Sequence, residues 1–273
     1  MTEKIAENVF DETGWKEMVR AGEIAGHSLV YFQQIDSTNS RAMEMGLAGA
    51  HAGTVVFAES QTGGKGRLGK SWDSPAGSGL YFSIILRPAL AIGDLSKITL
   101  AAGVALCRMV RRLYSFSPQI KWPNDLLVAN RKCGGILVEA DLRNQSAPLV
   151  ILGIGLNVTT PSIDFPEELR ESATSLQCHV DIPIRRKELL ETVLVETDAV
   201  IGQFEQQGFA DILKEWKKYD ATLGRTLTWI TADRQVVKGV SLGPDNEGKL
   251  HIKSGDGRVH EVISGDIRLA SYP

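Results

Sequence analysis

The sequence predicts an α+β protein in which a mixed sheet flanked by helices is followed by a small all-β barrel. Three observations carry this. Up to Tyr219, strand-like runs rich in β-branched and aromatic residues alternate with helical patterns. The connection between LLVA (126–129) and GILVEAD (135–141) is too short for a crossover helix, so those strands pair antiparallel. Beyond Tyr219 come TLTWIT, QVVKGVSL, KLHIKS and VHEVIS, separated by TADR, GPDNEG and SGDG, which read as the short strands and turns of a barrel. The expected divisions are an N-terminal helical segment at 1–27, a mixed-sheet unit at 28–221 and the barrel at 222–273.

Taken in order, residues 1–26 are polar and mostly helical in pattern. The expected strands are SLVYFQQI (28–35), TVVFAES (54–60), LYFSIIL (80–86), QIKW (119–122), LLVA, GILVEAD and PLVILGIGLNV (148–158). A helix follows Ser37, Thr38 and Asn39, any of which suits a helix N-cap. Residues 95–113 carry apolar positions at helical spacing and end in Arg111 and Arg112, which suit the negative end of the macrodipole. Residues 185–219 form one or two amphipathic helices broken near Gly208.

Composition excludes several classes. The chain has 273 residues, 43% apolar and 23% charged, enough for a sizeable core. A net charge of −3 gives no global basic field for nucleic acid. No apolar run approaches a membrane span, and the acidic MTEKIAENVFDETG is not a secretory signal. Cys107, Cys133 and Cys178 are far apart and odd in number, and the histidines lack metal-ligand spacing. A cytoplasmic protein without a membrane or DNA partner is expected.

Residues 63–71, GGKGRLGKS, satisfy both G-x-x-x-x-G-K-[ST] and G-x-G-x-x-G. Both patterns need a helix next, whose N-terminal N–H groups hold phosphate. Here WDSPAGSG follows, with Pro75, Gly77 and Gly79, and then another strand. The segment therefore reads as a long, structureless strand-to-strand loop, with Lys65, Arg67 and Lys70 set among glycines. It is either a cover for an anionic ligand or a plain solvated loop.

Three further segments carry polar chemistry. In KWPND (121–125), Asn124 and Asp125 offer oxygen ligands for a hard cation such as Mg²⁺, or form an Asx-type turn. In RKCGGILVE (131–139), Lys132 is either a point charge for an anion or an ordinary hairpin lysine. In GIGLNV (153–158), Gly153, Gly155 and Asn157 share one strand face, which suits a ligand against the backbone or close packing. In IDSTN (35–39), Ser37 and Thr38 either cap a helix or meet a neutral polar ligand.

In this order and spacing the segments resemble the biotin protein ligases, also called biotin–[acetyl-CoA-carboxylase] ligases. The matching elements are DSTN (36–39), ESQTGGKGRLGKSW (59–72), KWPNDLL (121–127), KCGGILVE (132–139), GIGLNV (153–158) and SGDIRL (264–269). The resemblance runs from about residue 28 to the C-terminus, and its specificity lies in the ordered set. It implies a class II aminoacyl-tRNA synthetase/biotin ligase-like mixed sheet with flanking helices, followed by an SH3-like β-barrel.

It also implies a two-step reaction with ATP, biotin and Mg²⁺. Biotin's carboxylate attacks the α-phosphate of ATP, giving biotinyl-5′-adenylate and pyrophosphate. A lysine of the biotin carboxyl carrier domain of acetyl-CoA carboxylase then takes the biotinyl group and AMP leaves. On the resemblance, Ser37, Thr38, Asn39 and Gln61 line the biotin pocket, and Gly64, Lys65, Gly66 and Arg67 cover biotin and the adenylate phosphate. Lys132 sits near the biotin carboxylate and α-phosphate, while Gly135, Gly153 and Gly155 floor the pocket. Trp72 packs beside the nucleotide, and Asn124 and Asn157 place nucleotide and Mg²⁺, with Asn124 the expected metal contact. The expected catalytic residues are Lys132, Arg67 and Asp125, the last orienting or deprotonating the incoming lysine.

Departures are Lys65, where many bacterial relatives carry Arg, Leu68 and Lys70, at positions often held by Arg, and Cys133, where an apolar residue is commoner. None removes a required charge. About 27 residues precede the first strand, so the short form without an N-terminal DNA-binding domain is expected, not a repressor. A monomer or a homodimer fits. The competing readings are a lipoate–protein ligase-like acyl-adenylating enzyme, a biotin-sensing module without catalysis, and a P-loop NTPase. The missing helix argues against the last, and the retained cations against the second.

Overall fold

The computed structural model describes residues 12–230, 236–262 and 266–269. The SGDIRL segment is therefore described only from Asp266, and the TADR turn lies outside the described residues. Helix α1 (Glu12–Ala21) and the short β1 (Glu23–Ile24) lead into β2 (His27–Ile35). Then follow α2 (Thr38–Leu47), β3 (Val55–Gln61), β4 (Gly79–Leu86), α3 (Ile98–Leu113), β5 (Pro118–Lys121), β6 (Asp125–Val128), β7 (Arg131–Asp141) and β8 (Leu149–Asn157). Helices α4 (Arg186–Gln207) and α5 (Ala210–Tyr219) precede β9 (Thr226–Ile230), β10 (Val236–Pro244), β11 (Leu250–Ser254), β12 (Val259–Val262) and β13 (Asp266–Leu269).

The first eight strands form one sheet in the order β1-β2-β3-β4-β8-β7-β6-β5. Among the described strands of this sheet only β2 and β3 pair parallel, joined through α2, which supplies the crossover that parallel pairing requires. The short β6–β7 link is the expected antiparallel hairpin. Ala129 and Asn130 both take positive φ there, as a tight two-residue turn demands.

Side-chain alternation assigns the two faces. Val55, Phe57, Leu80, Phe82, Ile84 and Ile154 point into a core closed by α3, α4 and α5. Val56, Ile85, Leu149 and Ile151 point the other way and pack under Ala42 of α2. Helix α3 is buried along most of its length, with Leu106, Cys107 and Met109 inaccessible, so it is the central layer. Gly208, at φ 80°, ends α4 and lets α5 turn back, which is the predicted break.

The second sheet has the order β12-β11-β10-β9-β13, antiparallel throughout. It is the SH3-like barrel, and it is docked on the first sheet through the β10–β11 turn. Trp122 Nε1 donates to Gly248 O at 2.9 Å. Lys97, only 6% exposed, pairs with Asp94 at 2.8 Å and with Glu247 of that turn at 3.3 Å. No described helix is long and apolar enough to cross a membrane.

A buried ion pair ties α4 to the sheet. Arg186 Nη2 reaches both oxygens of Glu59 on β3, at 3.0 and 2.8 Å, and Nη1 donates to Gly79 O on β4 at 3.0 Å. Burial, opposed by the Glu59 charge, holds the guanidinium below its ordinary pKa.

Candidate active site

Between residues 62 and 78 the chain leaves β3 and returns as β4. The segment is folded, which corrects the expectation of a structureless loop. Gly66 N donates to Lys70 O, Trp72 N donates to Gly64 O, and Lys65 bridges Ser71 as a miniature antiparallel pair. The turn at the tip needs positive φ at Leu68 (56°) and Gly69 (73°). No helix follows Ser71, in keeping with the composition. The return limb is anchored by Tyr81, whose hydroxyl donates to Pro75 O at 3.2 Å. Burial pushes that phenol up to about 12.

The loop covers a cleft of about 490 Å³. Of the residues expected at the site, Ser37, Thr38, Asn39, Gln61, Lys65, Gly66, Arg67, Trp72, Asn124, Asp125, Lys132, Gly135, Gly153, Gly155 and Asn157 all line it. Gly64 does not. It is buried at the loop base, where an added Cβ would lie 2.3 Å from Trp72 O, so its absence of side chain serves the loop's own closure. Leu68, Lys70 and Ser71, outside the set of expected binding residues, are also on the wall.

The glycines that line the cleft also seat two protein side chains. A Cβ on Gly155 would meet the Trp72 indole at 2.6 Å, and one on Gly135 would meet it at 2.9 Å. A Cβ on Gly153 would meet Asn39 Oδ1 at 1.9 Å. Trp72 and Asn39 thus stand on the sheet where side chains are missing, and the cleft lies over them. Lys132 Nζ is 5.2 Å from the Trp72 ring centroid, within cation–π range.

At one end of the cleft is a neutral polar network. Ser37 caps α2 through Ser40 N at 3.4 Å, so the simple capping role holds while Ser37 also lines the cleft. Thr38 N donates to Gln61 Oε1 at 2.8 Å, and Gln61 Nε2 donates to Ser74 Oγ at 2.9 Å. Ser83 Oγ sits 2.8 Å from Thr38 Oγ1 and 2.6 Å from Asn39 Oδ1. Asn39 Nδ2 donates to Glu139 Oε2 at 2.8 Å, and Lys65 Nζ lies 3.8 Å from Glu139 Oε1. Sequence reasoning missed Ser83 and Glu139. A hydroxyl inside the apolar run LYFSIIL was the available signal for Ser83, since a buried polar group needs a partner.

The other end is charged. Lys132 Nζ pairs with Asp125 Oδ1 at 2.7 Å across the β6–β7 hairpin. Arg67 Nη1 donates to Asn124 Oδ1 at 3.3 Å, and Asn124 Nδ2 donates to Ile136 O at 3.0 Å. The oxygens expected to meet a metal thus face cations instead, and these residues do not fit a protein-held Mg²⁺. Among the described residues, the His/acidic grouping close enough to share an ion is Asp245, His251 and Glu261, in the second sheet.

Residues 160–173 close the far wall, contributing Thr160, Phe165, Leu169, Ser172 and Ala173. They are strapped to Lys132, whose N donates to Ser172 O and whose O accepts from Thr174 N. Asn157 Nδ2 donates to Thr174 O at 3.1 Å, holding the same wall. This wall too was missed, because its sequence carries no distinctive residue types.

Comparison with known proteins places this geometry. Residues 31–157 match the biotin/lipoate A/B protein ligase family. The chain is 34% identical over 247 residues to the bifunctional ligase/repressor BirA of Bacillus spizizenii, covering 90% of this chain and 75% of that protein. It is 32% identical to the biotin–[acetyl-CoA-carboxylase] ligase of Mycobacterium tuberculosis, covering 94% of each. The biotin protein ligase of Aquifex aeolicus, solved with biotin and ATP, superposes with a TM-score of 0.77 at 28% identity, covering 89% of this chain and 99% of that one. The chain belongs to the biotin protein ligases, within the biotin/lipoate A/B protein ligase family.

Proposed function

We propose that this chain joins biotin to a lysine of a biotin carboxyl carrier domain by way of biotinyl-5′-adenylate. The carrying observation is the cleft itself: a neutral hydrogen-bonding end at Thr38, Asn39 and Gln61, and a cationic end at Arg67 and Lys132. Biotin is neutral and polar at its ring and anionic at its carboxylate, so the two ends match it in order. In this reading residues 28–221 form the catalytic unit and 222–273 the barrel.

In the first step a biotin carboxylate oxygen bonds to the α-phosphorus of ATP and the bond to pyrophosphate breaks. Lys132 and Arg67 offset the charge that builds on the phosphoryl oxygens, and Lys65 adds to it from the loop. Mg²⁺ enters as part of the nucleotide substrate. Trp72, Asn124 and Asn157 bound the space assigned to the nucleotide. In the second step the neutral amine of the carrier lysine attacks the acyl carbon, the acyl–phosphate bond breaks and AMP leaves. Asp125 orients Lys132 through their 2.7 Å contact. The same carboxylate is the proposed acceptor for the proton the amine sheds. Catalysis is positioning and charge stabilisation, without a covalent enzyme intermediate.

The test is to mix the chain with ATP, Mg²⁺, biotin and an apo carrier domain and to read the carrier's intact mass. A biotin-sized gain is expected. No gain on a carrier that another ligase modifies refutes the proposal, and a preferred gain with lipoate replaces biotin as the substrate. Lys132→Ala should slow adenylate formation more than it weakens biotin binding.

A further inference from the structure

We infer that Lys121 is a further catalytic residue, whose ammonium binds the pyrophosphate as it leaves ATP in the first step. This rests on the adenylation reading above and names a cation outside the set of expected binding residues.

Backbone register places it. Lys121 of β5 pairs with Asp125 of β6, Asp125 with Gly135 of β7, and Gly135 with Gly155 of β8. Cross-strand partners share a face of the sheet, and all four of these residues line the cleft. Trp72 stands on the two glycines. Lys132 Nζ meets both Asp125 Oδ1, at 2.7 Å, and the Trp72 ring, at 5.2 Å from its centroid. Lys121 lies one strand beyond Asp125, about 5 Å farther along the row.

Its charge is uncommitted. Lys132 is paired with Asp125, Lys65 lies 3.8 Å from Glu139, and Arg67 donates to Asn124. Among the described residues Lys121 has neither an ion pair nor a hydrogen bond from its side chain. Its cross-strand neighbour Asp125 is engaged by Lys132 instead. An unpaired ammonium on the wall of a cleft is a point charge placed for an anionic ligand.

The reaction selects which anion. In a displacement at phosphorus the attacking and leaving oxygens stand roughly in line, on opposite sides. With biotin's ring at Thr38 and Gln61, its carboxylate reaches the α-phosphate at Lys132 from the β3 side of the sheet. Pyrophosphate then departs towards β6 and β5, where Lys121 stands. The carboxylate oxygen–phosphorus bond forms, the phosphorus–oxygen bond to pyrophosphate breaks, and the electron pair leaves with pyrophosphate. Negative charge grows on that leaving oxygen, so the Lys121 contact strengthens in the transition state. The apolar side chains of the far wall, Phe165, Leu169 and Ala173, suit a base rather than a phosphate. In the second step no pyrophosphate is present, and Lys121 has nothing to bind.

The two half-reactions are therefore measured apart. The first is adenylate formation from biotin, ATP and Mg²⁺ without carrier. The second is transfer from prepared biotinyl-5′-AMP to an apo carrier domain without ATP. Lys121→Met removes the charge and should slow the first by about tenfold or more, the loss expected for a hydrogen bond to a charged group. The second should stay within about twofold of the parent, since the contact is absent from it. Inhibition of the first step by added pyrophosphate should need roughly tenfold more pyrophosphate. Lys121→Arg keeps the charge and should recover most of the first-step rate. A Lys121→Met chain with a parent-like urea midpoint that forms adenylate at the parent rate overturns the inference. So do equal losses in both half-reactions, unchanged inhibition by pyrophosphate, or a Lys121→Arg chain as slow as Lys121→Met. Failure of the unaltered chain to form adenylate overturns the functional reading and this inference together.

Discussion

Replacing Gly153 by alanine tests the packing logic of the cleft floor at a single atom. The new Cβ would lie 1.9 Å from Asn39 Oδ1, 2.8 Å from Cγ and 3.0 Å from Nδ2. The amide cannot bend away cheaply, since it is held by Ser83 at 2.6 Å and by Glu139 at 2.8 Å. Moving it forfeits about 1 kcal/mol for the neutral bond and roughly 1.5–3 kcal/mol for the bond to the carboxylate. Residual overpacking adds about 1 kcal/mol or more. The expected loss is roughly 3–5 kcal/mol, a large part of the typical stability of a folded domain.

Urea unfolding reads it as a lower midpoint at unchanged slope. Gly202→Ala is the control: it sits inside α4 with nothing within 4 Å of a new Cβ, and should stabilise by about 0.5–1 kcal/mol. A double-mutant cycle isolates the contact, because Gly153→Ala should cost about 2 kcal/mol less in an Asn39→Ala background. A Gly153→Ala protein within about 1 kcal/mol of the parent, or additivity in the cycle, would refute the reasoning.

Three other outcomes are expected. Glu59→Ala leaves Arg186 buried without its carboxylate and should cost about 3–5 kcal/mol in urea unfolding, whereas Glu59→Leu combined with Arg186→Met should be close to neutral; equal losses in both would contradict this. His27 is almost fully buried, with Nδ1 2.7 Å from Gly53 O and Nε2 2.8 Å from Asp198, so the folded state favours a doubly protonated ring. The Asp198 hydrogen bond, against burial, holds its pKa above the ordinary 6.5. Its stabilisation is therefore complete below pH 6.5 and is lost as pH rises through the raised folded value; His27→Gln should remove that decline from the pH–stability curve. Trp122→Phe deletes the N–H that meets Gly248 O and should cost about 1 kcal/mol, and an unchanged midpoint would show the contact to be idle.

The sequence announced most of the architecture because its signals were local. Strand runs bounded by Gly, Pro and Asn fell within a residue or so of β2, β3, β4 and β8, and the short 129–130 link allowed only a hairpin. Gly208 marked the α4–α5 break for the same reason. The cleft was harder, because its logic is non-local. Glu139 stood inside a quoted segment, yet its meaning depends on Asn39, a hundred positions away in the chain. Ser83 depends on Thr38 and Asn39, and residues 160–173 on their backbone bonds to Lys132. The in-strand glycines were rightly read as sites of close approach, but what approaches is an indole and an amide of the same chain. Likewise the loop's order comes from Gly66–Lys70 and Gly64–Trp72 backbone pairs, which composition does not reveal.

Trp72 and the two glycines beneath it come from three separate stretches of chain, yet they form a single fitted object. An indole at 72 forbids a side chain at 135 or 155, and a side chain at 155 expels the indole. Neither change is reachable alone without a misfit. These three positions are therefore expected to change together. A lineage that has exchanged the tryptophan for a small residue should carry larger residues at both glycine positions, with the loop tethered by some other contact. In such a lineage the cleft floor would lie flat where here it carries an indole.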